Sequence, residues 1–263
     1  MGVLNITSDS FYSGSRYRWG YQISRRADQI LSEGGQIIDI GACSTRPGAT
    51  PIDEQLELRR LAKAVSIVRR RHPDAIISVD TYRASVARAM VNDYGVDIIN
   101  DISAGSMDPD LLTTVASLRV PYVLMHMQGT PANMQQHPTY GNVMEELMLH
   151  LSQKLEQLKA LDINDIIIDP GFGFGKSLEH NYTILKNLST FRLLDRPILV
   201  GLSRKSMIYN PLRIAPRGAL NGTTVLNTVA LQNGASILRV HDVRAAVEAI
   251  ALTQVLQAQP EFQ

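Results

Sequence analysis

Along this chain, short apolar runs repeatedly end on a polar residue and give way to stretches with helical spacing. Gly2-Val3-Leu4 closes on Asn5, Ile37-Ile38-Asp39-Ile40 opens into Gly41-Ala42-Cys43-Ser44-Thr45-Arg46, and Ile76-Ile77-Ser78-Val79 closes on Asp80. Asp97-Ile98-Ile99 then closes on Asn100, Tyr122-Val123-Leu124-Met125 on His126, and Ile166-Ile167-Ile168 on Asp169. Ile198-Leu199-Val200-Gly201-Leu202 ends at Ser203, and Ser236-Ile237-Leu238-Arg239-Val240 ends at His241. About eight strand-then-helix units predict an α/β protein built as a single (β/α)8 barrel, the TIM barrel, with residues 1–263 as one domain. The carboxyl ends of the strands share one mouth in that architecture. The polar residues that close the runs are therefore predicted to meet at an active site there.

Helical periodicity is clearest over Gln55 to Val68, where Leu58, Leu61, Val65 and Val68 share a face, and over Val143 to Leu161, where Leu147, Leu151, Leu155 and Leu158 do. Asn142 and Asp108-Pro109 read as helix starts, and Gly34-Gly35 and Gly95 as stops. The longest irregular pieces, Thr7 to Gly20, Gly41 to Ile52 and Met127 to Gly141, each follow a strand. Loops of that length in a compact domain are usually functional, which assigns all three to the mouth.

Composition narrows the function class. The chain is 44% hydrophobic and 19% charged, as in an ordinary globular protein, and no apolar run approaches the roughly 20 residues that span a bilayer. A net charge of +1 does not suit a general nucleic-acid binder. No secretory signal is visible, and the lone Cys43 cannot form an internal disulfide, so a cytoplasmic location is expected. The run Arg69-Arg70-Arg71-His72 reads as cations complementing the carboxyl end of a helix.

The stretch Asp169-Pro170-Gly171-Phe172-Gly173-Phe174-Gly175-Lys176-Ser177 nearly matches a phosphate-cradling loop, but the first glycine of that motif would fall on Pro170. We read it instead as a strand-end carboxylate followed by glycines that let backbone pass close to a flat ligand, with Phe172 or Phe174 offering a ring face. Asp80 and Asp169 should both sit in the mouth. Paired carboxylates suit acid/base work or a metal, and a carboxylate also accepts two bonds at once from a heterocycle with adjacent N–H donors. With Asn100 and a lysine nearby, the set resembles a pocket for a planar, nitrogen-rich ring. Ser203-Arg204-Lys205-Ser206 and Arg239-Val240-His241 fall at the barrel corner that often holds phosphate, which implies a phosphorylated substrate. His126 reads as a structural histidine, and no His or Cys pair has zinc-ligand spacing.

Taken in order, these segments resemble the dihydropteroate synthase family. The matching stretches are Met1 to Thr7 with Asp9-Ser10-Phe11, Asp39-Ile40-Gly41 with Ser44-Thr45-Arg46-Pro47-Gly48-Ala49, Ser78-Val79-Asp80-Thr81 and Ile99-Asn100-Asp101-Ile102. They continue with Met125 to Pro131, Asp169 to Lys176, Ser203-Arg204-Lys205-Ser206 and Arg239 to Val243. The resemblance implies condensation of 6-hydroxymethyl-7,8-dihydropterin diphosphate with 4-aminobenzoate in folate synthesis, by a cytoplasmic, Mg2+-dependent homodimeric transferase of a family targeted by sulfonamides. It implies a pterin site of Asp80, Asn100, Met125, Asp169, Phe174 and Lys205, with Asp80, Lys205 and Asn5 as the catalytic set. Asn5 would also hold Mg2+ on the diphosphate, joined by Arg239 and His241. Phe11, Thr45, Arg46, Pro47 and Ser206 would shape the aminobenzoate site. The chain departs from the family pattern at Ser8, Ser13 and Cys43. Two alternatives share the fold: a pterin-binding methyltransferase barrel, which handles no diphosphate, and a non-catalytic pterin-binding paralogue.

Overall fold

The computed structural model describes residues 1–6, 20–43, 52–136 and 138–260. Strands β1 (Gly2–Asn5), β2 (Ile37–Gly41), β3 (Ile76–Asp80), β4 (Ile98–Asp101), β5 (Tyr122–Met125) and β6 (Ile166–Asp169) pair in sequence order, all parallel. β7 (Leu199–Val200) and β8 (Ile237–Leu238) pair with each other. Single bridges join the two groups, Ile168 to Ile198 on one side and Gly2 to Val240 on the other. Val3 N donates to Val240 O and Val240 N to Met1 O, each at 2.9 Å, so the sheet closes on itself and leaves no free edge.

The ring outside consists of α1 (Gly20–Ser32), α2 (Glu54–Arg71), α3 (Ala84–Tyr94), α4 (Leu111–Leu118), α5 (Val143–Ala160) and α6 (Leu178–Lys186), followed by the short α7 (Ser206–Leu212) and then α8 (Leu220–Gln232) and α9 (Val243–Gln257). Leu61, Val65 and Val68 of α2 and Leu147, Leu151 and Leu158 of α5 are buried against the strands, as the spacing predicts, while Leu58 and Leu155 are half-buried. A fully buried leucine contributes about 1.5–3 kcal/mol. Asp53 caps α2 by accepting from Leu56 N at 2.8 Å, and Asn142 caps α5. Arg69, at the end of α2, donates to the carbonyls of Pro73, Ala75 and Gly95, and Arg71 meets Asp28. The basic run thus staples a helix end. Among the described residues no helix is long and apolar enough to cross a membrane.

Two expectations need correction and one is extended. Asp108 leads into α4, its Oδ1 accepting Asp110 N at 3.0 Å and its carbonyl accepting Leu111 N at 3.1 Å, and its Oδ2 also accepts Ala84 N at 2.7 Å and so caps α3. β4 runs one residue past Asn100, to Asp101, whose buried carboxylate accepts from Tyr122 Oη, Ser103 N and Gly105 N and turns the chain out of the sheet. β7 and β8 are two residues each rather than five. Their flanking residues still bond to neighbouring strands, with Arg239 N donating to Val200 O and Ile168 N to Pro197 O, each at 2.9 Å.

Alternation with period two positions the site. Ile38, Ile40, Ile77, Val79, Ile99, Tyr122, Leu124, Ile166 and Ile168 pack outward in the main core. Ile98, Val123 and Leu199 instead form a second cluster with Ile37, Ile167 and Ile237, an apolar plug inside the barrel. Two residues further along these strands stand Asp39, Asn100, Met125, Asp169, Gly201 and Arg239. The barrel interior is thus hydrophobic at its base and polar at its mouth.

Candidate active site

Register places Asn5 opposite Gly41, Gly41 opposite Asp80 and Asp80 opposite Asn100, so four residues from four strands form one row at the rim. Neighbouring strands lie about 4.8 Å apart, so the row spans roughly 15 Å. Gly41 keeps it tight: a Cβ there would stand 2.9 Å from Oδ1 of Asn5 and 3.6 Å from Oδ2 of Asp80. Further round, Met125 pairs with Asp169. Met125 packs with Ile102, Met134 and Phe174, an apolar wall beside the polar floor.

Charge on this floor is dense and paired. Asp39 is fully buried; its Oδ2 accepts from Arg239 Nε at 2.7 Å, and its Oδ1 accepts from Ser78 Oγ at 2.7 Å and Asn100 Nδ2 at 3.3 Å. Arg239 also reaches Asp80 Oδ2, at 3.2 Å. Burial raises the pKa of Asp80 above the usual carboxylate range; Arg239 opposes the rise, while Asp39, Glu57 and Asp101 add to it. Burial likewise raises Asp169, countered by Lys205 and by the Gly171 N–H, which donates to Oδ1 at 2.7 Å. Lys205 donates to Phe172 O at 2.5 Å, lies 4.7 Å from the centre of the Phe174 ring, and is lowered to about 8 by burial, against the pull of Asp169. His241 differs from the expected cationic corner. Burial, then Arg239, lowers it to about 3, so at neutral pH it offers an uncharged imidazole.

The glycine-rich loop after β6 also departs from its reading. Gly171, Gly173 and Gly175 have φ of 74°, 78° and 59°, and Cβ atoms would meet His126 O at 1.9 Å at Gly171 and Gln128 O at 2.4 Å at Gly175. At these two positions the close approach is to the backbone of the loop after β5, rather than to a flat ligand. Lys176, only 2% exposed, locks that crossing by donating to Phe174 O (2.9 Å) and His126 O (3.2 Å), with Nζ 3.1 Å from His126 Nδ1. Burial lowers Lys176 to about 7 and His126 to about 2, so His126 is a neutral acceptor in the framework, as its reading held. Phe172 is fully buried in the main core, which leaves Phe174 as the ring at the mouth.

Residues 1–241 match the family described as pterin binding enzyme. The chain is 41% identical over 256 residues to the dihydropteroate synthase of Haemophilus influenzae, covering 97% of this chain and 92% of that one. The Yersinia pestis dihydropteroate synthase, solved with a sulfonamide drug complex, superposes with a TM-score of 0.94 at 39% identity, covering 98% of this chain and 94% of that chain. The Xanthomonas albilineans dihydropteroate synthase, solved with 4-aminobenzoic acid, gives a TM-score of 0.88 at 37% identity over 98% of this chain and 93% of that chain. The chain belongs to the dihydropteroate synthase family.

Of the residues that the family resemblance selects, Asn5, Asp80, Asn100, Met125, Asp169, Phe174, Lys205, Arg239 and His241 all lie at the strand ends or the loops that follow them. Ser206 is exposed at the first position of α7, next to Lys205. Phe11, Thr45, Arg46 and Pro47, together with the departures Ser8 and Ser13, lie outside the described residues. A Mg2+ ion takes few protein oxygens and keeps water and phosphate ligands, so the hard Oδ1 of Asn5 near the Asp80 carboxylate fits such a site. Among the described residues no group of three or more His, Cys, Asp or Glu is placed to hold a metal ion. Asp39 and Lys176 are the site residues that reading only strand ends passes over. The period Ile37, Asp39, Gly41 would have found the first; no local pattern marks the second.

Proposed function

We infer that this protein condenses 6-hydroxymethyl-7,8-dihydropterin diphosphate with 4-aminobenzoate to give 7,8-dihydropteroate and diphosphate. The observation that carries the reading is the polar floor of Asp80, Asn100, Asp169 and Lys205 set beside the Arg239 cation, in a chain 41% identical to a named synthase. Asp169 would accept two N–H groups on the pterin edge, since Gly171 N occupies only part of its capacity. Lys205 would turn a donor to the ring carbonyl, and Asn100 would meet a ring nitrogen. Phe174 and Met125 would cover the ring face and edge.

In the reaction the C–O bond between the pterin methylene and the diphosphate breaks, and its electron pair leaves with the diphosphate. The arylamine nitrogen then bonds to the methylene and releases a proton to solvent. Positive charge grows on the methylene as negative charge grows on the leaving group. Asp80 would stabilise the first, and Arg239 and His241 would bind the second, in a site too enclosed for water to screen them fully. When Mg2+ is bound, Asn5 would hold it, and the chemistry it supplies is neutralisation of the departing diphosphate. Phe11, Thr45, Arg46, Pro47 and Ser206 would shape the wall for 4-aminobenzoate.

The same reading includes a homodimer. Val225 of α8 and Leu252, Val255 and Leu256 of α9 are exposed apolar side chains on adjacent outer helices, away from the mouth, and a second copy would cover them. A cytoplasmic location suits the lone Cys43. The test is Mg2+-dependent diphosphate release when the pterin diphosphate and 4-aminobenzoate are supplied together. Pterin binding without diphosphate release would identify a non-catalytic binder, and methyl transfer to or from a folate would identify a methyltransferase; either refutes the assignment.

A further inference from the structure

Asp39 lies in the middle of β2 at 0% exposure, where an unpaired carboxylate would be prohibitive. Among the described residues its hydrogen-bond partners come from other strands or their ends: Ser78 from β3, Asn100 from β4 and Arg239 just beyond β8. Two of those partners are floor residues with separate tasks on the reading above, Asn100 toward the ring and Arg239 toward the diphosphate. We propose that Asp39 is a positioning residue that sets both at once, fixing which face of the Asn100 amide meets the ring and holding Arg239 back from full pairing with Asp80.

The geometry supports each half. An ionised carboxylate only accepts, so its bond with Asn100 commits the amide nitrogen to Asp39 and leaves Oδ1 as the atom to accept a ring N–H. Without that anchor the amide can turn over and present a donor to the same ring atom. Arg239 is shared unequally: the ion-pair distance from its NH2 group is 2.6 Å to Asp39 and 3.2 Å to Asp80. If Asp39 loses its charge, the remaining carboxylate in an ion pair with the guanidinium, among the described residues, is Asp80. Arg239 would then move onto Asp80 and mask the negative charge that faces the reacting methylene.

The proposal rests on the synthase reading, and the test separates their failures. Wild-type enzyme must bind 6-hydroxymethylpterin in calorimetry and release diphosphate in the coupled assay; if it does neither, the functional reading fails regardless of any variant. Asp39→Asn keeps the shape and removes the charge. We expect its dissociation constant for 6-hydroxymethylpterin to rise tenfold or more, as roughly follows from a lost hydrogen bond to a charged group, and kcat at saturating substrate to fall at least tenfold. In an Asn100→Ala background, Asp39→Asn should weaken pterin binding by less than twofold further, because its ring effect acts through Asn100. A general structural disturbance would instead add in full. Unchanged affinity, unchanged kcat or full additivity would each overturn the proposal. If Asp39→Asn does not fold, the wild-type enzyme still decides it. The side-chain NH2 resonance of Asn100, assigned by its loss in Asn100→Ser, should exchange with solvent at least tenfold more slowly than those of exposed asparagines; exchange at the exposed rate would overturn it.

Discussion

Alanine at two glycines with similar positive φ separates the strain of a left-handed φ from the crossing of the two mouth loops. Gly95 closes α3 at φ 64°, and a Cβ there would meet nothing within 4 Å. Gly171 has φ 74°, and its Cβ would lie 1.9 Å from the carbonyl oxygen of His126. Both substitutions incur the left-handed penalty of about 1–2 kcal/mol. At Gly171 the two loops must in addition part by about 1.5 Å to restore an ordinary contact. That movement carries an overpacking cost of about 1–3 kcal/mol. It also pulls His126 O away from the buried Lys176, now at 3.2 Å, adding a lost hydrogen bond of about 1–3 kcal/mol. Gly171→Ala should therefore lose about 3–8 kcal/mol and Gly95→Ala only about 1–2, measured by urea unfolding with coincident spectroscopic probes. Pterin affinity should divide the same way. His126 N donates to Asp169 O, so the displaced loop drags on Asp169, and on the proposed ring site it should raise the dissociation constant about tenfold, whereas Gly95 lies at the opposite end of the barrel. If the two variants unfold within about 0.5 kcal/mol of each other, the loop crossing is not the constraint inferred here.

Two carboxylates on one floor are expected to fail differently. Asp80→Asn should lower kcat by about a hundredfold with little change in pterin affinity, because its charge acts as the cation forms; equal loss in both would contradict that role. Asp169→Asn should chiefly weaken pterin binding, by about tenfold, and unchanged affinity would remove it from the ring site. Acid should destabilise the fold through its buried histidines. His126 and His241 titrate at about 2 and 3 when folded, against 6.5 when unfolded, so below pH 6.5 the unfolded chain binds more protons. Stability is then lost as pH falls from 6.5 toward those values, by up to about 1.4 kcal/mol per pH unit for each histidine. The raised carboxylates Asp80, Asp101 and Asp169 act in the opposite sense, so the histidine share is read by difference: His126→Asn should flatten the dependence of unfolding free energy on pH between 4 and 6, and an unaltered slope would refute its buried neutral state.

What the sequence made legible follows from period and place. Strand ends are visible because an apolar run stops at a polar residue, and eight such stops, read as a barrel mouth, named Asn5, Asp80, Asn100, Asp169 and the neighbourhood of Lys205 and Arg239. Asp39 escaped because it interrupts a run instead of ending one, and because its partner Arg239 lies 200 residues away. Lys176 was visible only as the tail of a glycine motif. Its acceptors are backbone carbonyls of two loops, which carry no sequence signature. The glycines were legible as necessary but not as to what they approach, since His126 O and Gln128 O are placed by the fold alone. Asp108 was legible as the start of the following helix but not as a cap on the preceding one, which it also is because the helix ends of adjacent barrel units lie side by side.

The shared guanidinium links binding to chemistry. Before substrate arrives, Arg239 stands between Asp39 and Asp80, and the longer of its two ion pairs is the one to Asp80. A diphosphate entering that corner offers a stronger and more mobile anion than a carboxylate already shared with another. The contact to Asp80 is therefore the one that yields, while Asp39 keeps the arginine in place. The leaving group would thus uncover the carboxylate that faces the methylene as it takes up the cation beside it. Burial and the neighbouring acids raise the pKa of Asp80, and Arg239 opposes that rise. A pterin lacking the diphosphate would bind to the same floor with Asp80 still covered, so the interaction that recognises the leaving group is also one that favours the transition state over the ground state.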